Sequence, residues 1–178
     1  ILSQAQDLAE AGVKELILVA QETTLYGKDL YGEKSLHKLL KELCKVSGIQ
    51  WIRILYCYPE EITDELIQVI KEEPKICHYL DLPIQHANDE ILKRMGRRTS
   101  KQELIDIVTK LRKEIPDICL RTTLITGFPG ETEEQHQELV EFVDEMEFDR
   151  LGVFTYSPEE DTPAATMADQ IDEEVKLE

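Results

Sequence analysis

Five short apolar, β-branched runs recur along the chain, at residues 15–20, 51–56, 79–84, 118–126 and 150–155, with starts 36, 28, 39 and 32 residues apart. No other feature restricts the fold as much, because each interval has room for one helix and its two connections. Helical patterns fill those intervals. Residues 35–46 carry Leu36, Leu39, Leu40 and Leu43, and residues 63–72 carry Leu66, Ile67 and Ile70. Residues 100–115 carry Leu104, Ile107, Val108 and Leu111 before Pro116, and residues 132–146 carry Leu139, Val140 and Val143. A shorter helix at 88–95 is capped by Asn88 and ended by Gly96. Strands alternating with helices at this spacing predict right-handed βαβ units around a parallel sheet, with its strands buried on both faces.

Residues 1–11 look like the end of another helix, so the chain is expected to enter the fold after a first strand. A partial, open parallel (β/α) barrel lacking that strand fits better than a doubly wound sheet, because no early strand ends in a glycine fingerprint. In either architecture the site lies at the carboxyl ends of the strands. Those ends carry residues 21–24, 56–58, 85–88, 127–131 and 156–158. Arg53 and Arg121 fall within strands. Each guanidinium can pair with a protein carboxylate or hold the carboxylate or phosphate of a ligand.

The fourth strand end is the most distinctive. Gly127 and Gly130 can take positive φ and leave room beside the backbone, and Pro129 fixes the chain between them. Thr132 then reads as an N-cap, with Gln135 completing a capping box. An ordinary strand-to-helix connection and a ligand cradle both remain open at this point.

Thirty-seven acidic against 20 basic residues give a net charge of −17, which repels nucleic acid and offers no attraction to a membrane surface. If RNA is contacted, another region must do it. No stretch approaches the ~20 apolar residues of a membrane span and no signal-peptide pattern opens the chain, so the cytoplasm is the expected compartment. The chain starts at Ile1 rather than Met and stops at Glu178 in a helical-looking run, so a piece of a longer protein is expected. Cys44, Cys57, Cys77 and Cys119 are too widely spaced for a zinc knuckle or redox dithiol and are expected to be buried and structural. No lysine, nucleophile elbow or metal-spaced histidine pair occupies a strand end. Of the histidines, His37 and His136 are expected on solvent faces of helices and His78 at the amino end of a strand. His86 alone falls at the site. These ends can bind a polar ligand, but they contain no obvious catalytic group, and no metal site is expected.

Three motifs point to one family. The segment 82–100 (LPIQHANDEILKRMGRRTS), the turn 127–132 (GFPGET) and the run 154–158 (FTYSP) with 162–164 (TPA) resemble the radical S-adenosylmethionine methylthiotransferases, in that family's order and spacing. The resemblance implies a partial (β/α) barrel that binds S-adenosylmethionine. It also implies two 4Fe-4S clusters in the full-length parent, whose ligands this chain lacks, and an external electron donor. Reductive cleavage of the cofactor would give an adenosyl radical, and a methylthio group would then reach the substrate carbon. One branch of the family acts on transfer RNA. The other acts on the β-carbon of an aspartate in a small-subunit ribosomal protein, and its Gln-His and Ala-Gln-Glu-Thr-Thr-x-Tyr-Gly patterns resemble Gln85-His86 and residues 20–27. The ribosomal-protein branch is the expected one. A non-catalytic (β/α) ligand- or partner-binding module is the alternative from another class.

By this resemblance Gln21, Glu22 and Thr23 would lie near the methionyl amine of the cofactor, and Arg53 or Arg121 near its carboxylate. Gly127, Phe128 and Pro129, with Phe154 and Tyr156, would flank adenosine, and Gln85 and His86 would face the cavity. The basic run Lys93, Arg94, Arg97, Arg98 and Lys101 either complements a helix end or contacts substrate or cofactor. Residues 1–157 are expected to form the barrel core from its first helix onward, and 158–178 a linker towards a further C-terminal domain.

Overall fold

A computed structural model describes residues 1–177. The elements follow in the order α1 (Leu2–Glu10), β1 (Glu15–Leu18), α2 (Lys28–Tyr31), α3 (Leu36–Cys44), β2 (Trp51–Ile54), α4 (Asp64–Glu72) and β3 (Ile76–Asp81). Then come α5 (Asp89–Arg94), α6 (Lys101–Glu114), β4 (Cys119–Thr126), α7 (Glu133–Met146), β5 (Arg150–Thr155) and α8 (Glu173–Lys176). The strands stand in chain order in one sheet.

The chain forms two compact units. The first comprises Ile1–Leu82 and Thr109–Leu120, and the second comprises Pro83–Val108 and the chain from Arg121 onward. In the first unit β1 pairs parallel with β2, from Glu15 opposite Trp51 to Leu18 opposite Ile54, and β2 pairs parallel with β3. Ile52, Ile54 and Leu80 are fully buried there. Leu36, Leu39, Leu40 and Leu43 of α3 and Leu66, Ile67, Val69 and Ile70 of α4 supply the helical side of the core. Thr63 caps α4 through a hydrogen bond accepted from the Leu66 N–H, so the helix starts where its apolar period does.

In the second unit β4 and β5 pair parallel over six residues, from Arg121 opposite Arg150 to Thr126 opposite Thr155. Helix α7 buries Leu139, Phe142 and Met146. The expected apolar face of that helix included Val140, which is instead exposed, while Phe142 takes the core position three residues after Leu139.

Three further expectations need correction. The third strand begins at Ile76 rather than 79 and ends at Asp81, two residues before Pro83, which lacks the N–H to continue a ladder. His78 therefore lies inside β3, where Nδ1 stands 2.7 Å from Asp117. The strands are not buried on both faces, since Ile17, Trp51 and Val153 are each just over half exposed. Only Cys57 of the four cysteines is fully buried; Cys44, Cys77 and Cys119 are half-buried.

Candidate functional site

The strand ends of the first unit are knitted together by one carboxylate. Glu22 Oε1 accepts hydrogen bonds from the Thr24 N–H at 2.9 Å and from the Thr24 hydroxyl. Its Oε2 accepts from the Tyr58 N–H at 2.9 Å. Burial raises the pKa of this carboxyl, against the opposing pull of the hydrogen bonds from Thr24 and Tyr58. Thr23 is buried, its hydroxyl donating to the Leu55 carbonyl at 2.6 Å and its N–H to the Tyr56 carbonyl at 2.9 Å. Gln21 is exposed. Thus segment 21–24 meets segment 56–58, as the strand-end reading required. Glu22 and Thr23 spend their polar groups on holding that join, which leaves Gln21 with the open side chain of the three.

Tyr56 has a φ of 56°, a left-handed conformation that costs a non-glycine residue about 1–3 kcal/mol and tends to occur at functional sites. It is held there by its N–H, which donates to the Asp81 carboxylate at 3.3 Å, and by the carbonyl that accepts from Thr23. The Arg53 guanidinium points elsewhere. Its Nε donates to Glu15 Oε1 at 2.7 Å and its head lies 4.8 Å from the centre of the Tyr79 ring, so a protein carboxylate is its partner.

The second unit gathers three strand ends. Gln85, with a φ of 72°, extends the pairing of β4: its N–H donates to the Thr123 carbonyl at 2.9 Å, and its carbonyl accepts from the Ile125 N–H at 2.8 Å. Arg121 and Thr123 share one face of β4, with Nη1 3.4 Å from the threonine hydroxyl. The Tyr156 N–H donates to the Thr126 carbonyl at 2.8 Å, and the Phe128 and Tyr156 rings meet edge to face at 5.2 Å. Phe154, by contrast, is 60% exposed. The Tyr156 hydroxyl is buried with no hydrogen-bond partner among the described residues, a position that calls for a donor or acceptor from beyond them.

His86 was expected to face a cavity, and the structure buries it completely. Its Nδ1 accepts from the Asn88 N–H at 3.0 Å, so in the neutral ring the proton sits on Nε2. Nε2 lies 3.4 Å from Glu131 Oε1, an ion-pair distance rather than a close hydrogen bond. Glu131 is the hub that sequence reasoning missed. Its Oε2 accepts from the Phe128 N–H at 3.0 Å and its Oε1 lies 3.1 Å from His136 Nδ1, which turns His136 inward from the solvent face expected for it. Burial opposes ionisation of Glu131, but His86, the Phe128 N–H and His136 together outweigh it and hold the carboxyl below its ordinary range. The signal was present as an acidic residue closing the glycine turn, five positions before a histidine.

A second carboxylate continues the network. Asn88 Nδ2 donates to Glu138 Oε2 at 2.6 Å and Lys101 Nζ to Glu138 Oε1 at 3.0 Å. The basic run is therefore partly structural: Lys101 serves Glu138, Arg94 pairs with Asp169 at 3.2 Å, and Arg97 donates to the Pro83 carbonyl at 2.9 Å.

A family model described as the radical SAM superfamily matches residues 1–143. The chain belongs to the radical SAM superfamily. It is 70% identical over 177 residues to the ribosomal protein uS12 methylthiotransferase RimO of Lachnoclostridium phytofermentans, covering 99% of this chain and 40% of that protein. The RimO protein of Clostridium botulinum strain Langeland is 61% identical over 176 residues, with the same coverage of both chains. The chain thus spans about 40% of the length of these relatives.

Among solved radical SAM structures, coproporphyrinogen III oxidase (HemN) from Escherichia coli superposes with a TM-score of 0.72 at 21% identity, over 99% of this chain and 43% of that one. The radical SAM methyltransferase TsrM from Kitasatospora setae gives a TM-score of 0.66 at 16% identity, over 87% of this chain and 30% of its own. At such identities the likeness is one of fold. It bears out the expected α/β architecture, a parallel sheet with surrounding helices consistent with a partial, open radical SAM (β/α) barrel.

Proposed function

We propose that this chain is the S-adenosylmethionine-binding part of a radical methylthiotransferase that modifies an aspartate of ribosomal protein uS12. The supporting observation is the 70% identity, across nearly the whole chain, to a relative named for methylthiotransfer to that ribosomal protein. The residues present fit such a cofactor. Tyr156 offers a buried hydroxyl without a hydrogen-bond partner among the described residues, Phe128 supplies an apolar ring beside it, and Gln85 is held in a strained backbone that the β4 pairing fixes. Bound S-adenosylmethionine supplies radical chemistry when an external donor delivers an electron.

The protein's own share is binding and orientation. In this reading Gln85, Phe128 and Tyr156 hold the nucleoside end, with Gly127 and Pro129 shaping the turn behind them and Phe154 open to solvent beside them. Arg121 offers a cation to the carboxylate. Glu22, Glu131 and His86 act one step back, by fixing the loops that carry those groups. The described residues include no group of three or more His, Cys, Asp or Glu side chains placed to hold a metal ion. They do not fit an iron–sulfur cluster, which the reading assigns to other parts of the full-length protein. Residues 1–157 serve as the cofactor-binding core.

The test is the full-length protein, reconstituted anaerobically with iron and sulfide and given S-adenosylmethionine, a reductant and either uS12 or transfer RNA. Mass spectrometry is expected to find one methylthio group in place of hydrogen on an aspartate of uS12. Modification of the transfer RNA alone would move the assignment to the other branch, and no methylthio product on either would sink it.

A further inference from the structure

Gly127 has a φ of 69°, and a Cβ built on it would stand 2.5 Å from Cγ of Lys176 and 3.0 Å from its Cδ. The open side of the turn is therefore filled by the side chain of a residue 49 positions further along the chain. That side chain is only 2% exposed, an unusual state for lysine. Its ammonium donates to the Tyr156 carbonyl at 2.9 Å and to Glu173 Oε1 at 2.6 Å, and lies 5.4 Å from the centre of the Tyr156 ring. Other residues of the same segment reach the same turn. The Gly130 N–H donates to the Asp169 carbonyl at 2.8 Å, and Ala164 and Met167 pack on the cluster of Ile91, Phe128 and Tyr156.

We propose that Lys176 is a positioning residue for the ligand site: laid along Gly127, it seats residues 163–177 on the glycine turn and fixes Phe128 and Tyr156 in place. The segment expected as a linker thereby becomes part of the wall. Tyr156 is gripped at both ends of its peptide frame, by Thr126 through its N–H and by Lys176 through its carbonyl. Gly127 is glycine because a lysine stem occupies the space a side chain would take. The ligand half of this proposal rests on the S-adenosylmethionine reading above, whereas the seat itself does not.

A double-mutant cycle in the full-length protein reads the seat. Gly127→Ala forces the new methyl group into Lys176, and Lys176→Ala removes the atoms it strikes. The double variant is expected to be more stable than the sum of the single effects implies, by about tenfold in the unfolding equilibrium. Additive effects would mean that the two residues do not touch and would overturn the proposal.

Kinetics read the positioning role. Lys176→Ala is expected to raise the KM for S-adenosylmethionine about tenfold while kcat stays within about twofold, and Lys176→Met, which keeps most of the stem, to raise KM less. A coupled pair with an unchanged KM overturns the positioning role. Failure of the wild-type protein to bind S-adenosylmethionine in calorimetry would instead remove the cofactor reading, with the cycle still reporting on the seat.

Discussion

At the scale of single residues, most charged side chains around the strand ends serve the protein itself. Glu131 belongs firmly to that group. Removing it leaves the buried Phe128 N–H without its acceptor, so Glu131→Ala should cost about 2 kcal/mol in denaturant unfolding. Its pH signature has a definite sign. A carboxyl whose folded pKa is depressed contributes stability that is fully present above the unfolded value of about 4.3 and is lost as pH falls through the folded value. Glu131→Gln should therefore make the acid limb of the stability profile shallower in that window without abolishing it, because Glu138, held down despite its burial by Asn88 and Lys101, and paired surface carboxyls such as Glu33, Glu114 and Asp117 keep slopes of their own. An unchanged limb would remove Glu131 as the hub. Arg53 is a contrasting case. With its guanidinium on Glu15 and both side chains about one-third exposed, Arg53→Ala should cost no more than about 1 kcal/mol. It should leave S-adenosylmethionine affinity in calorimetry unchanged, and a loss of affinity would return Arg53 to the ligand.

At the scale of elements, caps and periodicity carried most of the legible information. Thr132 accepts from the Gln135 N–H and the Gln135 side chain accepts from the Thr132 N–H, the capping box that the spacing predicts at the start of α7. Thr132→Ala should lower the melting temperature by an amount equivalent to about 1 kcal/mol. Strand β5 lies at the predicted residues because its apolar run is bounded by Asp149 on one side and the Tyr156-Ser-Pro158 stretch on the other. Strand β3 was placed too late because Cys77 and His78 interrupt the apolar pattern, and sheet pairing outweighs that local composition. What periodicity could not supply was contact between distant segments. The Glu131–His86 contact and the Lys176 seat each join residues that no local window places side by side, and the acidic, proline-containing tail gives no apolar period to betray its docking. The strand-end polar groups were legible as a set, but not which of them the protein keeps for itself.

At the scale of the whole molecule, charge limits the partners. A net charge of −17 makes this chain a poor ligand for transfer RNA, so its own affinity for RNA at physiological salt should be weaker than about 10⁻⁴ M by fluorescence anisotropy. Tighter binding would contradict the assignment of nucleic-acid contact, if any, to other regions. The same acidity suits a basic protein substrate, although it does not select one. The central claim is that the strand-end segments bind S-adenosylmethionine, and amide hydrogen exchange of the full-length protein with and without that cofactor tests it most directly. The cofactor should slow exchange in segments 85–88 and 127–131 and at Tyr156, and leave the outward helix face at Glu134, Gln137 and Glu141 unchanged. Protection confined to other parts of the protein, or none at saturating cofactor, would contradict the account.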